Sequence, residues 1–500
     1  FRDWLPTVLV FLICGLCEAA FPLLLRALTE EEGVLLAGQV AVRIIYIFLL
    51  GFIGLSWRKQ PSKKPLVFTG RVKRLLLVET VVLLASCLPA LLLRSYYADF
   101  TKYLMLRWSV YLPALLLPVY VWLASYIALP IEEGIKKSYF NQARKILADR
   151  HDLLKIGITG SYGKTTSKFV LGSILGEKFN VLITPHSYNT PMGITRVVRG
   201  QLRPDNEVFV AEMGARYVGD IEELCELVQP SIGMLSSVGV QHLETFGSQE
   251  NIVNTKFELI ASLPPEGAAF LNGDNDICVE LSKRPMAVKD VFLYGIRSKE
   301  ELYMRAVDVA VGTQGSVFTL VSKDGKRTDC RTRLLGFHNI LNITGAAAIA
   351  HYMGLSMEQI ARGIRRLEPV EHRLQLINGP VTVIDDAFNA NPDGAKAAME
   401  VLRGFPGRRV VVTPGMVELG AEESELNREF GRQMAVSTDF ALLIGEKRSL
   451  PIREGLQEKG YDMDNVFVVT SLEQATAVLA NLTRPGDVVL FENDLPDNYT

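Results

Sequence analysis

Thr159-Gly160-Ser161-Tyr162-Gly163-Lys164-Thr165-Thr166 is the stretch on which the reading of this 500-residue chain turns. It directly follows Leu-Lys-Ile-Gly-Ile (154–158), a buried-strand pattern, and opens a helical one. Glycines in such a turn let backbone N–H groups close around phosphate oxygens, and the helix N-terminus adds positive potential. Lys164 suits the outer phosphates of a nucleotide, and Thr165 or Thr166 can offer a hydroxyl to Mg2+. The longer G-x4-G-K-[ST] spacing fails because position 158 is Ile; what stands is G-x-x-G-K-T-T. The expectation is a nucleotide site built on Gly160, Ser161, Tyr162, Gly163, Lys164, Thr165 and Thr166. The competing expectation is a bare structural glycine turn.

Outward from this loop the pattern is α/β. IGIT, NVLIT, EVFVAEM and IGMLSSV read as buried strands separated by helical or loop segments, which implies βαβ units and a parallel sheet. Residues 300–333 read as added hairpins, and helical patterns follow near 339–353 and 357–367. A second alternating set runs from VTVID (381–385) through RVVVTPG, DFALLIG, VFVVT and DVVLFEN. Pro369, Gly379 and Pro380 place a boundary between the two sets. We therefore expect domains over 153–368 and 369–500.

The first 150 residues differ. They carry 18 Lys+Arg against 10 Asp+Glu, whereas the remainder carries 35 against 45. The mean hydropathy of +0.19 is high for a soluble enzyme. Leu5 to Leu28, Val34 to Trp57, Leu75 to Leu93 and Trp108 to Leu129 each approach the ~20 residues that a bilayer core requires. Basic residues cluster after the second stretch (Arg58, Lys59, Lys63, Lys64, Arg71, Lys73, Arg74) and after the fourth (Lys136, Lys137, Arg144, Lys145). Glu30-Glu31-Glu32 lies between the first two. The positive-inside rule then puts both termini in the cytoplasm. Trp57, Tyr96, Tyr97, Trp108 and Tyr111 fit interfacial belts. Glu18, Arg43 and Glu79 fall within the spans, either as a structural pair or as a polar patch for a lipid headgroup. The expected order is a four-helix transmembrane domain over 1–135, a charged linker helix over 136–152, then the two α/β domains. The net-acidic second part argues against nucleic acid as a partner. The cysteines at 14, 17, 87, 225, 278 and 330 form no zinc-type double pair and read as buried reduced thiols.

Further candidates follow strand ends of the sheet that carries the phosphate loop. Glu212 ends EVFVAE, and a carboxylate there faces the ligand crevice of an open α/β sheet. His242 follows IGMLSSV. Both are candidate metal ligands; either could instead be a satisfied core or loop residue. Lys256 lies on a helical stretch, where an ordinary lysine is a surface residue.

At this point the residues resemble the Mur ligase family, closest to the branch that adds D-alanyl-D-alanine to the muramoyl tripeptide. ITGSYGKTT, AEMGA, HLETFGS, LNGDND, GFHNILN, EHRLQ, IDDAFNANPDG and GMVELG occur in the family's order over about residues 154–495. The resemblance implies a central ATP-binding domain and a Rossmann-like C-terminal domain. It implies that Lys164, Thr165 and Thr166 hold the ATP phosphates and one Mg2+, with Glu212 and His242 as metal ligands. Lys256 matches the lysine that many members carbamylate. Asn272 and Asn339 would meet the adenine, Arg373 a phosphate, and Asp386, with or without Asp385, the ribose. Asn389, Asn391 and Pro392 shape that loop. Asn189 and Thr190 lie where members contact the acceptor, or belong to a plain structural loop.

The implied activity is ATP-dependent formation of an amide bond through an acyl phosphate, between a cell-wall precursor and an amino acid or peptide amine. The spans stand where members usually carry a UDP-sugar-gripping domain, so a lipid-linked acceptor and contact with membrane lipids are expected. This gives a multi-pass protein of the bacterial cytoplasmic membrane with its ligase domains in the cytoplasm. Two alternatives stand beside it. One is a poly-γ-glutamate or capsule-type ligase. The other is a nucleotide-binding membrane scaffold or transport subunit.

Overall fold

The computed structural model of the chain describes residues 67–92, 117–239, 243–387, 391–417 and 419–493. It divides into one unit up to Ser138 and a second from Tyr139 onward.

In the first unit the helix Gly70–Leu92 and the beginning of the helix Leu117–Ala148 are described. Arg74 forks onto Glu132 through two hydrogen bonds of 2.6 and 3.0 Å, a geometry that lysine cannot reproduce. The first two expected spans, with Cys14, Cys17, Glu18 and Arg43, lie outside the described residues, as do the belt aromatics. The third and fourth enter the two helices in part. Among the described residues no helix is long and apolar enough to cross a membrane. Arg71, Lys73, Arg74 and Glu79 occupy the first helix. The second runs on through Pro130 into Glu132, Glu133, Lys136 and Lys137, so no break separates the apolar stretch from the charged linker.

In the second unit, β1 (Leu154–Thr159), β2 (Val181–Ile183), β3 (Val208–Glu212), β4 (Ile232–Leu235), β5 (Ala268–Asn272), β6 (Asp290–Gly295), β7 (Met304–Gly312), β8 (Gly315–Ser322) and β9 (Arg327–Thr332) form one sheet. Their order is β2-β3-β1-β4-β5-β6-β7-β8-β9. β2 through β7 pair in parallel, and β7-β8-β9 is the antiparallel addition expected at 300–333. β3, β4 and β5 are buried along their whole length, which is why they read as continuous apolar runs rather than alternating ones. β5 and β6 complete the sheet where the sequence showed only the loop motif LNGDND. The helix Phe337–Tyr352 packs on one face beside the phosphate-loop helix Lys164–Leu175.

A second sheet follows: β10 (Gln375–Ile377), β11 (Thr382–Asp386), β12 (Arg409–Thr413), β13 (Phe440–Ile444), β14 (Val466–Val469) and β15 (Val488–Glu492), in the order β10-β11-β15-β12-β13-β14. All neighbours are parallel except β10, an antiparallel edge strand. The α/β class with a central and a C-terminal sheet is thus as expected. Cys225, Cys278 and Cys330 are buried free thiols.

Phe270 of β5 is fully buried and meets Phe292, Tyr303 and Tyr352 with ring centroids 5.3, 6.0 and 5.7 Å away. Phe270→Ala should destabilise the second unit by about 3–5 kcal/mol, read as a lower denaturant midpoint in urea.

Candidate active site

β1 delivers the chain into the phosphate loop beside the end of β4, and Gly160 and Gly163 have φ of 148° and 80°. A Cβ at Gly160 would strike Ser236, and one at Gly163 would strike Asn342, so glycine is required at both. The segment after β4 pins the loop. Ser161 N–H donates to the Ser237 carbonyl at 2.7 Å, Tyr162 N–H donates to Ser237 Oγ at 3.2 Å, and Ser236 Oγ donates to the Tyr162 carbonyl. Ser161 Oγ donates to the Gly239 carbonyl at 2.9 Å. Lys164 Nζ donates to the carbonyls of Gly160 and Ser161 at 2.7 and 2.9 Å. Desolvation lowers its pKa to about 8, Glu212 opposing and Arg373 reinforcing that shift.

Glu212 is the hub of the site. It is 1% exposed at the end of β3. Oε1 accepts from Thr165 Oγ1 at 3.1 Å and from Asn189 Nδ2 at 3.0 Å. Oε2 accepts from Lys168 Nζ at 2.9 Å. Two separate segments, the phosphate-loop helix and the loop after β2, therefore meet on one carboxylate of β3. A cavity of about 510 Å³ opens here, and its wall includes Ser161–Thr165, Asn189, Thr190, Glu212, Arg216, Arg373 and Asn391. Thr190 and Asn391 reach it mainly as helix starts. Thr190 Oγ1 accepts from Gly193 N–H at 3.3 Å, and Asn391 Oδ1 from Gly394 N–H at 2.9 Å. Each precedes a proline at the first helical position, a common start signal.

Arg373 reaches the same cavity from the segment that leads into the second sheet. His372 and Leu374 beside it have φ of 59° and 46°, left-handed values that side chains other than glycine rarely adopt. Two carboxylates hold this segment: Asp385 Oδ2 contacts His372 Nδ1 at 2.7 Å, and Asp386 Oδ1 accepts Leu374 N–H at 3.1 Å. Asp385 is thus engaged by His372, and Asp386 faces the other way, because adjacent strand residues point to opposite faces. The partner of Asp386 is Glu492, its register neighbour on β15. Burial raises the pKa of both, to about 6 for Asp386 and well above the usual range for Glu492. Among the described residues Glu492 Oε2 has no hydrogen-bond partner. Asp386 and Glu492 line an adjoining cavity of about 350 Å³ with Gly163, Thr166, Asn272, His338, Asn339 and Arg373. Asn272 Nδ2 donates to the Ser236 carbonyl at 2.8 Å and Asn339 Nδ2 to the Leu335 carbonyl at 2.7 Å, which fixes how both amides face the cavity.

Lys256 is 2% exposed on the helix Gln249–Ala261, its Nζ 5.7 Å from the Phe246 ring centroid. It is not the surface lysine that helical spacing suggests, nor among the residues lining either cavity. Desolvation, reinforced by Lys164, lowers its pKa to about 7. His242 and Asn389 lie outside the described residues. Among the described residues no group of three His, Cys, Asp or Glu side chains comes together to hold a metal. Lys168, Ser236, Ser237 and Asn342 are functional neighbours that no sequence motif singles out. Lys168 carries a signal: it lies one helical turn beyond Lys164, directly before the apolar run Phe169-Val170-Leu171.

Comparison with known proteins now decides the family. The description "Mur ligase middle domain" matches residues 158–350, and "Mur ligase, glutamate ligase domain" matches 372–492. The chain belongs to the Mur ligase family. Its members are ATP-dependent ligases that form amide bonds. The UDP-N-acetylmuramoyl-tripeptide–D-alanyl-D-alanine ligase of Mycobacterium tuberculosis is 33% identical over 376 residues, 67% of this chain and 69% of that one. The Escherichia coli enzyme of the same name is 31% identical over 356 residues, 69% and 77%. Among solved structures, MurF from Acinetobacter baumannii superposes with a TM-score of 0.65 at 27% identity, covering 72% of this chain and 77% of that one. MurF ligase from Thermotoga maritima, in complex with ADP, gives 0.64 at 26%, covering 72% and 80%.

The low pKa of Lys256 has a sign. A lysine whose folded pKa lies below its unfolded value lowers stability fully below pH 7, and the penalty fades as pH rises from about 7 towards 10.5. In carbonate-free buffer Lys256→Met should raise the thermal midpoint at pH 6 by at least about 2–4 °C. The gain should shrink steadily to pH 10 in a series of melting curves.

Proposed function

We propose that this Mur ligase joins an amine to a carboxylate of a peptidoglycan precursor at the cytoplasmic face of a bacterial membrane. The observation that carries the reading is the convergence of the phosphate loop, Glu212, Asn189 and Arg373 on one cavity of about 510 Å³. The names of the relatives support a muramoyl-peptide acceptor. The ADP complex of the Thermotoga ligase supports ATP as co-substrate.

In this reading Lys164 and Arg373 stand at the outer phosphates, Asn272 and Asn339 beside the base, and Asp386 at the ribose. Asn189 and Thr190 face the acceptor, with Asn389 and Asn391 as further substrate contacts. The acceptor carboxylate attacks the γ-phosphorus, the bond to the β–γ bridging oxygen breaks, and ADP leaves. The amine then attacks the acyl carbon, and inorganic phosphate departs while the amine loses its proton to solvent. Lys164 and Arg373 offset charge on the transferred group, and positioning does most of the work. Thr165 Oγ1 and Glu212 Oε1, 3.1 Å apart, are a hard-oxygen pair that suits Mg2+, with His242 as a further ligand. Mg2+ bound there would supply charge neutralisation at the phosphates. The burial and low pKa of Lys256 support uptake of CO2 as a carbamate, an anion on a long arm. Among the described residues no carboxylate lies within ion-pair distance of its ammonium.

Membrane attachment rests on the four apolar stretches of the first 135 residues. It is supported by Leu76, Leu77, Val81, Leu84, Trp122 and Tyr126, large apolar side chains exposed on the two described helices; such patches mark membrane or protein contacts. A lipid-linked acceptor and contact with membrane lipids follow from that placement.

The test is phosphate release by the full chain in detergent with ATP and Mg2+, offering UDP-linked and lipid-linked muramoyl tripeptides separately with a panel of amines. Release driven by the lipid-linked acceptor alone supports the membrane reading, and release driven by the UDP-linked one alone overturns the lipid-linked substrate. Lys164→Ala should lower turnover by at least about 100-fold, and unchanged turnover refutes the phosphate site. Lys256→Ala should lose activity that bicarbonate cannot restore and that short carboxylates partly rescue; full activity would make Lys256 a structural residue.

A further inference from the structure

We propose that Lys168 is a positioning residue that ties the loop at 184–190 to the phosphate-loop helix and so holds the acceptor side of the site in shape. The proposal rests on the reading above that this loop meets the acceptor. Lys168 is on the helix Lys164–Leu175, one turn beyond Lys164, and is 0% exposed. Its ammonium has three N–H donors, and two bonds leave its own helix. One goes to Glu212 Oε2 at 2.9 Å, the other to the carbonyl of His186. The Phe169 ring lies 4.6 Å from Nζ.

The second bond gives Lys168 a role beyond pairing a charge. His186 has φ 46°, a left-handed value for a residue that is not glycine. Such a conformation persists only where its surroundings impose it. The loop is anchored at both ends through Glu212: the Glu212 N–H donates to Thr184 Oγ1 at 3.2 Å, and Asn189 Nδ2 donates to Glu212 Oε1 at 3.0 Å. Between those anchors the Lys168 ammonium grips the strained peptide. Ser187, Asn189 and Thr190, just beyond it, line the cavity opposite the phosphate loop. Without Lys168, His186 is free to relax to an ordinary φ and these residues leave the wall. Lys164, the loop glycines and their bonds to Ser236 and Ser237 do not touch the His186 bond. The loss of that bond should therefore fall on the acceptor more than on the nucleotide.

The test compares the wild-type full chain, Lys168→Met and the double variant K168M/E212Q by hydrogen exchange, ADP titration calorimetry and steady-state kinetics. The acceptor is whichever muramoyl tripeptide drives phosphate release. Peptides covering 184–190 should exchange at least about tenfold faster in K168M, while those covering 160–166 keep their rate. ADP affinity and the KM for ATP should stay within about threefold, while the KM for the acceptor rises at least about tenfold. Unchanged exchange at 184–190 overturns the proposal. So does a loss of ADP affinity that matches the loss of acceptor affinity, because Lys168 would then belong to the nucleotide site. K168M leaves Glu212 as a buried unpaired charge. Should it not fold, the double variant removes both charges while still lacking the His186 bond, and the exchange result in it decides. If the wild type does not bind ADP, the nucleotide reading fails, and loop exchange still judges the tie.

Discussion

The carboxylate of Glu212 is the constraint on which the active site depends. A buried carboxylate costs several kcal/mol unless charge and hydrogen bonds surround it. Here Thr165 and Lys168 come from the phosphate-loop helix and Asn189 from the loop after β2. Satisfying one buried group fixes the relative positions of three segments that are 20 to 50 residues apart in the chain. The position of Glu212 at the end of β3, one strand from β1, puts the hub beside the phosphate loop. Its burial also explains why Lys168 is fully buried: a desolvated anion and a desolvated cation are each tolerable only with the other.

A second constraint joins the two sheets. Arg373 must project into the cavity from a segment whose neighbours are both in left-handed backbone, and the adjacent residues Asp385 and Asp386 hold that segment from opposite faces of β11. Asp386 in turn sits in register with Glu492. Burial, with each carboxyl beside the other, raises the pKa of both. The C-terminal ends of β11 and β15 thus form the acidic wall of the adjoining cavity, with the phosphate loop opposite. This is the crevice position expected for ligands of an open parallel sheet.

Much of the fold was legible in the chain. Buried parallel strands read as apolar runs, the hairpins at 304–332 alternate, and the phosphate loop announces itself through glycines that only a tight turn requires. The family was legible through motif order. The third and fourth apolar stretches fall in part on described helices, and among the described residues no helix is long and apolar enough to cross a membrane. Lys256 looked exposed because helical spacing alone does not show which face a neighbouring element covers.

What the sequence alone determined was the inventory: a phosphate loop at 159–166, two parallel sheets, the family, and carboxylates at strand ends. These are local or periodic properties, set by backbone sterics and by alternation of apolar residues. What only the tertiary structure decided was partnership. Asp385 turned to His372, Glu492 became the neighbour of Asp386, Thr190 and Asn391 served as helix caps, and Lys168 emerged as the counter-ion of Glu212. Such pairings depend on strand register and on which buried charge must be neutralised, and residues far apart in the chain settle both.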